Sequence, residues 1–277
     1  MRTFHKSPLP LFDAGGGFSP EYQAVINYAN AQGYTLPSAG QQTKQDTLIT
    51  ALKAAGVNGL ADFYLIRILA NDASDGANLG FSGINWANPG ANIPTPVNAP
   101  LKTINLGYSS DGSTKYIDEN FKLVTAGCID NDIFSGIYLL GNASSTFRNG
   151  MVNTNAGIMI MPRDSSNSNF VVGRAVSTVG SVRLGSAQAT SEGFTVVGRS
   201  DDTQIRGFKN GVSLGSAASA KVTMGDTTHY SLCAQSFGSP ANFAPSSLNI
   251  AINIFGRASM IDQAALYTAL NNYITSL

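Results

Sequence analysis

Residues 193–216 read GFTVVGRSDDTQIRGFKNGVSLGS, and Asn210-Gly211 near the end of this stretch decides the fold class. A two-residue type I′ hairpin turn needs positive φ at both central positions, and Asn followed by Gly tolerates that best. Phe208 and Val212 flank the pair, with strand-length segments QIRGFKN (204–210) and GVSLGS (211–216) on either side. GFTVVGR (193–199) is a third strand candidate, closed by the polar turn Ser200-Asp201-Asp202. Three short strands joined by tight turns indicate an antiparallel sheet.

Working outward, the same texture recurs in KTINLG (102–107), DIFSGIYLLG (132–141), GIMIM (157–161), NFVVGRA (169–175), SVRLG (181–185), HYSLCAQ (229–235) and LNIAINIFG (248–256). Gly, Asn, Asp and Ser separate these runs about every eight to twelve residues, the spacing of a two-sheet sandwich and not of βαβ units. Phe63, Tyr64, Leu65, Ile66, Ile68 and Leu69 form one more apolar run of strand length. Between it and the next strand, residues 71–101 are rich in Asn, Gly and Pro, and read as a long surface connection.

Helical period appears in three places. Ser19 caps and Pro20 opens a helix carrying Tyr22, Val25, Ile26 and Ala29, which stops at Gly33. In DTLITALKAAG, Leu48, Ile49, Leu52 and Ala55 share one face, and Gly56 stands where a left-handed cap is expected. Near the end, Ser259 with Asp262 resembles a capping box ahead of Ile261, Ala265, Leu266, Ala269, Leu270, Tyr273 and Ile274. Burying that face contributes several kcal/mol at roughly 25 cal/mol per Å², so a docked helix is expected. The first residues hold Pro8, Pro10 and Gly15-Gly16-Gly17, an extended arm suited to reaching a neighbour. The expected organisation is an arm over 1–18, a helical segment over 19–70 packed on the sandwich, and the sandwich itself over 71–277.

Charged residues make up 12% of the 277 and the net charge is zero, with no Lys/Arg cluster. Nucleic acid and anionic membrane surfaces are therefore not expected partners. MRTFHKSPLPLF lacks the apolar run of a signal peptide, and no segment has the length of a membrane span, so synthesis in a cytoplasm is expected. Cys128 and Cys233, far apart and without a CxxC, read as two buried thiols.

The order of motifs carries a resemblance. GFTVVGR ending in Arg199, the hairpin with Phe208 to Gly211, and a late strand leading through Phe255 and Gly256-Arg257 to Asp262 and a helix resemble the concanavalin A-like, laminin-G-like jelly roll. The preceding half is similar in layout to structural proteins of tailed bacteriophages: a helix, QGYTLPSAGQQ (32–42), a helix ending LKAAGV (52–57), a strand, a Pro/Asn-rich loop and GYSSDGSTKYID (107–118). Together these resemblances cover about Ser19 to Leu277. They imply a mainly β fold, an antiparallel jelly-roll sandwich with two N-terminal helices and one C-terminal helix. They also imply a place in a virion, with other virion structural proteins and copies of itself as partners.

Glycoside hydrolases share such jelly rolls and need two carboxylates held roughly 5 to 9 Å apart. Glu21, Glu119 and Glu192 are the glutamates of this chain, none with a second Glu at strand spacing. Asp118 and Glu119 are adjacent, so a strand sends them to opposite faces. His5 and His229 have no G-x-S-x-G elbow to serve, and His229 reads as structural. Asp201-Asp202 and Asp111-Gly112-Ser113 could offer oxygens to Ca²⁺ but suffice as turn formers. With no GxGxxG or P-loop, no nucleotide is implied, and neither cofactor, metal nor catalytic residue is expected. For sugar binding the candidate is Trp86 in GINWANPG (83–90), an aromatic in a loop that could stack on a pyranose or else anchor the loop. The expectation is a non-enzymatic virion structural protein of the head or tail. The alternative is a carbohydrate-binding receptor module on the same particle, with host-surface glycan contacted by loops such as 74–100.

Overall fold

A computed structural model describes residues 17–75, 78–152, 157–177 and 180–277. The expected arm lies outside the described residues apart from Gly17 and Phe18. Helix α1 (Pro20–Ala31) begins as expected, with Ser19 Oγ accepting from the Tyr22 amide and Pro20 in the first turn. Helix α2 (Ala39–Ala55) starts earlier than its apolar stripe suggests, capped by Ser38. Its first turns bury Gln41 and Gln45, which donate to the Tyr273 hydroxyl at 2.9 and 3.2 Å, so polar contacts hide the helical face from a hydropathy pattern.

Strands β1 (Phe63–Ile68), β2 (Thr95–Val97), β3 (Leu101–Thr103), β4 (Gly107–Ser109), β5 (Tyr116–Lys122) and β6 (Ile133–Leu140) follow. Next come β7 (Asn149–Val152), β8 (Ile158–Asp164), β9 (Phe170–Ala175), β10 (Val182–Ala187), β11 (Gly193–Arg199), β12 (Gln204–Lys209) and β13 (Val212–Ala218). The chain continues through β14 (Thr228–Ser231), β15 (Ala234–Ser236), β16 (Ser239–Ala241) and β17 (Asn249–Gly256) to helix α3 (Gln263–Ser276).

Two sheets result. Sheet A runs β13-β12-β11-β6-β17, and the far edge of β17 is shared end to end by β1 and by β4, which continues to β3. Sheet B runs β10-β9-β8-β7-β14-β5-β2, with β15 lying parallel beside β7 and antiparallel to β16. Antiparallel hairpin runs (β11-β12-β13 and β7-β8-β9-β10) alternate with crossovers between strands distant in sequence (β6-β11, β6-β17, β7-β14, β5-β14), and apart from β15 beside β7 the pairs are antiparallel, as expected of a jelly-roll sandwich. The fold class is therefore as the sequence indicated: mainly β, two antiparallel sheets, two helices before and one after. Because β1 pairs with β17 from Phe63 to Ile68, the sandwich begins at Phe63.

The molecule has three layers. Between the sheets, Leu65, Ile137, Val197 and Phe255 of sheet A meet Phe121, Met151, Ile158, Ile160 and Val171 of sheet B. On the other face of sheet A, Ile66, Phe134, Phe194 and Ile254 pack against Val25, Leu52, Leu266 and Leu270 of the helices. Each such fully buried aliphatic or aromatic side chain contributes about 1.5–3 kcal/mol. Double coverage explains why β1, β6, β11 and β17 of sheet A read as nearly unbroken apolar runs, while the outlying β12 alternates.

The hairpin at the opening stretch forms in the expected register, Lys209 opposite Val212, with Asn210 at φ 50° and Gly211 at φ 75°. Asn210 also reaches sideways, accepting from the Phe194 amide at 2.8 Å through Oδ1. Gly211 rests on α3, where a Cβ would stand 3.1 Å from the Ala264 backbone.

Several local expectations are corrected. The cap of α3 is Asp262, which accepts from the Ala264 and Ala265 amides, while Ser259 is drawn away to Asp132. Gly56 is extended (φ −93°, ψ 141°), not left-handed, and is a glycine because a Cβ would lie 2.5 Å from the Gly59 carbonyl. HYSLCAQ breaks into β14 and β15 at Leu232, whose φ is 70°. The 71–101 connection is not a surface excursion throughout, since Leu79, Phe81, Ile84 and Trp86 are buried. It is further tied by Lys102 Nζ, which donates to Asp75 Oδ2 at 2.5 Å and the Ala73 carbonyl at 2.6 Å.

Candidate functional site

Trp86 is 1% exposed and packs on Tyr22 and Phe81 at 5.6 and 6.4 Å between ring centroids. Its ring is closed to a sugar, so the loop residue singled out in the sequence is the anchor and not the platform. The anchor orders its neighbours. The Trp86 amide donates to the Ile66 carbonyl at 2.9 Å, and Asn85 Oδ1 accepts from the Ile66 and Ala87 amides at 3.0 and 3.1 Å. Asn85 Nδ2 returns a bond to the Tyr64 carbonyl at 3.2 Å. Below, the Arg67 guanidinium donates to the Gly83 and Asn92 carbonyls, gripping both ends of the loop.

A cleft of about 340 Å³ opens beside this loop, lined by Phe63 and Tyr64 of β1, Asn85, Asn88, Ala91 and Asn92 of the loop, and Thr125 and Ala126 of the turn after β5. Tyr64 is half-buried and its hydroxyl accepts from the Ile129 amide at 3.3 Å. Burial pushes the Tyr64 pKa up, so the hydroxyl keeps its proton for donation at neutral pH. Asn88 is exposed; its backbone amide donates to the Asn85 carbonyl at 3.2 Å, and its side-chain amide makes no hydrogen bond among the described residues. Thr125 is committed to Asp226, donating through its amide at 2.9 Å and its hydroxyl at 2.8 Å. A half-exposed ring, one free amide and an uncharged wall can bind a polar, uncharged ligand. Sequence reasoning placed the loop but missed Tyr64, Asn88 and Asn92; the recurrence of Asn at 85, 88 and 92 was the available signal.

The carboxylates lie elsewhere. The alternation of β5 sends Glu119 between the sheets, fully buried, and leaves Asp118 on the other face. Glu119 Oε2 accepts from Arg67 Nε at 2.9 Å, and Oε1 accepts from Ser231 Oγ at 2.6 Å and Asn253 Nδ2 at 3.2 Å. Burial pushes the Arg67 pKa down, and the Glu119 charge opposes that. This polar staple joins β1 and β17 of sheet A to β5 and β14 of sheet B. Glu21 pairs with Lys53 on the helices, and Glu192 is exposed before β11.

His229 is fully buried, with Nε2 3.2 Å from Asn149 Nδ2 and its ring edge-on to Phe255 at 4.6 Å. Burial lowers its pKa to about 3, which keeps it neutral and structural. His5 lies outside the described residues. Asp111 Oδ1 accepts from the amides of Ser113, Thr114 and Lys115, and Asp201 Oδ1 from those of Thr203 and Gln204, so both serve their own turns. Among the described residues no three His, Cys, Asp or Glu side chains gather to hold a metal. Arg199, buried at the end of β11, donates to the Ala175 and Ser219 carbonyls at 2.7 and 3.0 Å. Cys233 is buried, while Cys128 is half-buried and not fully enclosed as expected. Among the described residues no helix is long and apolar enough to cross a membrane.

No family model matches this chain, and no curated protein does. Solved structures do. A mutant of Trypanosoma rangeli sialidase displaying trans-sialidase activity is similar over 91% of this chain and 39% of its own, at 12% identity and a TM-score of 0.54. Trypanosoma rangeli sialidase in complex with 2,3-difluorosialic acid is similar over 86% and 38%, at 9% identity and a TM-score of 0.50. The receptor binding domain of botulinum neurotoxin C/D mosaic serotype aligns over 76% and 51%, at 11% identity and a TM-score of 0.48. This chain spans about two-fifths of the length of the sialidases it matches. The likeness is one of fold, a two-sheet β-sandwich.

Proposed function

We propose that the chain is a non-enzymatic structural protein of a bacteriophage virion that exposes a lectin-like sandwich. The observation that carries the non-enzymatic part is the fate of Glu119: Arg67, Ser231 and Asn253 hold it between the sheets, where it cannot meet a substrate. A general acid or base must come within hydrogen-bond reach of the reacting group. The motif order from Ser19 to Leu277, similar to that of tailed-phage structural proteins, supports the place in a particle. Assembly with further copies is supported by the edge of sheet A, where Leu101, Ile104 and Leu106 are 49%, 62% and 41% exposed beside β3. An open edge strand with apolar side chains is a natural docking line for another chain.

Quantitative mass spectrometry of purified particles tests this reading, with a fixed copy number per particle expected. Absence from particles of a phage that encodes the chain would overturn it. Mass photometry of the full chain beside a variant lacking residues 1–18 tests self-assembly, with a discrete oligomer expected only for the full chain. A second reading, carbohydrate recognition by the sandwich, is favoured by one observation, the preformed cleft at Tyr64 and Asn88.

A further inference from the structure

We propose that the cleft at Tyr64 binds an uncharged sugar residue of a glycan and rejects sialylated or other anionic sugars. This deepens the carbohydrate-recognition reading and rests on it. The volume of about 340 Å³ lies near the lower end of the roughly 300–1,000 Å³ range of ligand pockets, enough for about one or two sugar rings. Tyr64 offers a ring for the apolar face of a pyranose and a hydroxyl proton, and Asn88 offers both a donor and an acceptor. Asn85 and Asn92 are held by backbone partners and shape the wall.

The selectivity comes from the surrounding charges. None of the lining side chains is ionised. Arg67 beneath the floor is saturated by Glu119 and the Gly83 and Asn92 carbonyls. Arg257, within electrostatic reach of the Tyr64 hydroxyl, is bound to Asp132 at 3.0 Å. At the opposite rim the Asp226 carboxylate faces Thr125, with exposed Lys122 in range of it. A sugar carboxylate seated against the lining side chains would lose water without meeting a cation there, Lys122 standing only at the rim, whereas hydroxyl groups exchange water for amide and phenol partners.

The test is binding of the full chain to an array of mannose-, glucose-, galactose- and N-acetylglucosamine-terminated glycans, each beside sialylated or uronate-bearing counterparts. Hits are then titrated with the wild type, Tyr64→Ala and Asn88→Ala. The expected result is binding to a neutral class, weakened about tenfold or more by either substitution. Asn88 is exposed, so its variant keeps the fold even if Tyr64→Ala does not. Equal or tighter binding of the anionic counterparts through Asn88 would overturn the selectivity and leave carbohydrate recognition standing. Binding indifferent to both substitutions would overturn the site. Silence across the array at millimolar sugar would remove site and carbohydrate reading together, leaving the virion reading to particle composition.

Discussion

Sheets A and B enclose one core but are written in different sequence. In sheet A, β6, β11 and β17 are buried along nearly their whole length, since helices close one face and sheet B the other. In sheet B, β5 alternates, with Ile117, Glu119 and Phe121 inward and the residues between them half-buried or exposed, whereas β8 and β9 are buried almost throughout because Met159, Met161, Val172 and Ala234 form a further cluster. The number of covering layers, not the strand itself, decides whether a β segment reads as a continuous apolar run or as an alternation. The two interfaces of sheet A also differ: it meets the helices through hydrocarbon and the uncharged bond from the Tyr138 hydroxyl to Asn271 Oδ1 at 2.9 Å, whereas it meets sheet B through hydrocarbon and the charged Arg67–Glu119 staple.

Breaking the staple is expected to have the largest effect. Arg67→Met alone leaves Glu119 buried without its counter-charge and should cost about 3–5 kcal/mol in urea unfolding, whereas adding Glu119→Leu should restore most of that loss. If the double variant is no better than the single one, the pair is not what makes the inter-sheet layer sensitive.

His229 sharpens the comparison through pH. Its folded pKa of about 3 lies below the unfolded value, so the unfolded chain takes up a proton that the folded chain refuses. The stabilisation is complete above about pH 6.5 and is lost as pH falls toward 3, with a slope of up to about 1.4 kcal/mol per pH unit. Thermal melts of the wild type and His229→Gln between pH 7 and 4 should diverge accordingly, the variant showing the flatter profile.

On the helical side of sheet A, Gly211→Ala places a side chain at φ 75° and against the Ala264 backbone. A loss of about 1–2 kcal/mol is expected in chemical denaturation, with the β12–β13 hairpin retained. At the solvent edge, the Arg206–Asp201 pair at 3.1 Å is half-exposed, and Arg206→Ala should change stability by less than about 1 kcal/mol.

The same contrast governs what the sequence revealed. β1, β6, β11 and β17 were legible as apolar runs, and the Asn210-Gly211 turn by its backbone chemistry. β5 escaped because YIDENFK carries polar residues on both faces, Glu119 pointing into the polar staple, and β7 because NGMV is short, opens on the buried Asn149 and contains a glycine. The early turns of α2 escaped for a related reason, glutamines doing the burying. The α3 cap was misassigned because Ser259 was claimed by Asp132, a residue more than a hundred positions away. At the candidate site, Trp86 drew attention as the lone tryptophan. The residues that face the cleft, Tyr64 and Thr125, belong to segments far apart in the chain, and no spacing rule could bring them to the loop.

The placement of β17 has a consequence for the birth of the protein. This strand lies in the middle of sheet A, with β6 on one side and β1 and β4 on the other, yet it is made after every other strand among the described residues. During synthesis the earlier strands of sheet A must wait without their central partner, their apolar faces open to one another and to neighbouring nascent chains. Folding is thus a late event, set by closure of long loops, and is expected on the slow millisecond-to-second scale of non-local β topologies. A cell making many copies at once would meet its greatest aggregation hazard in that interval.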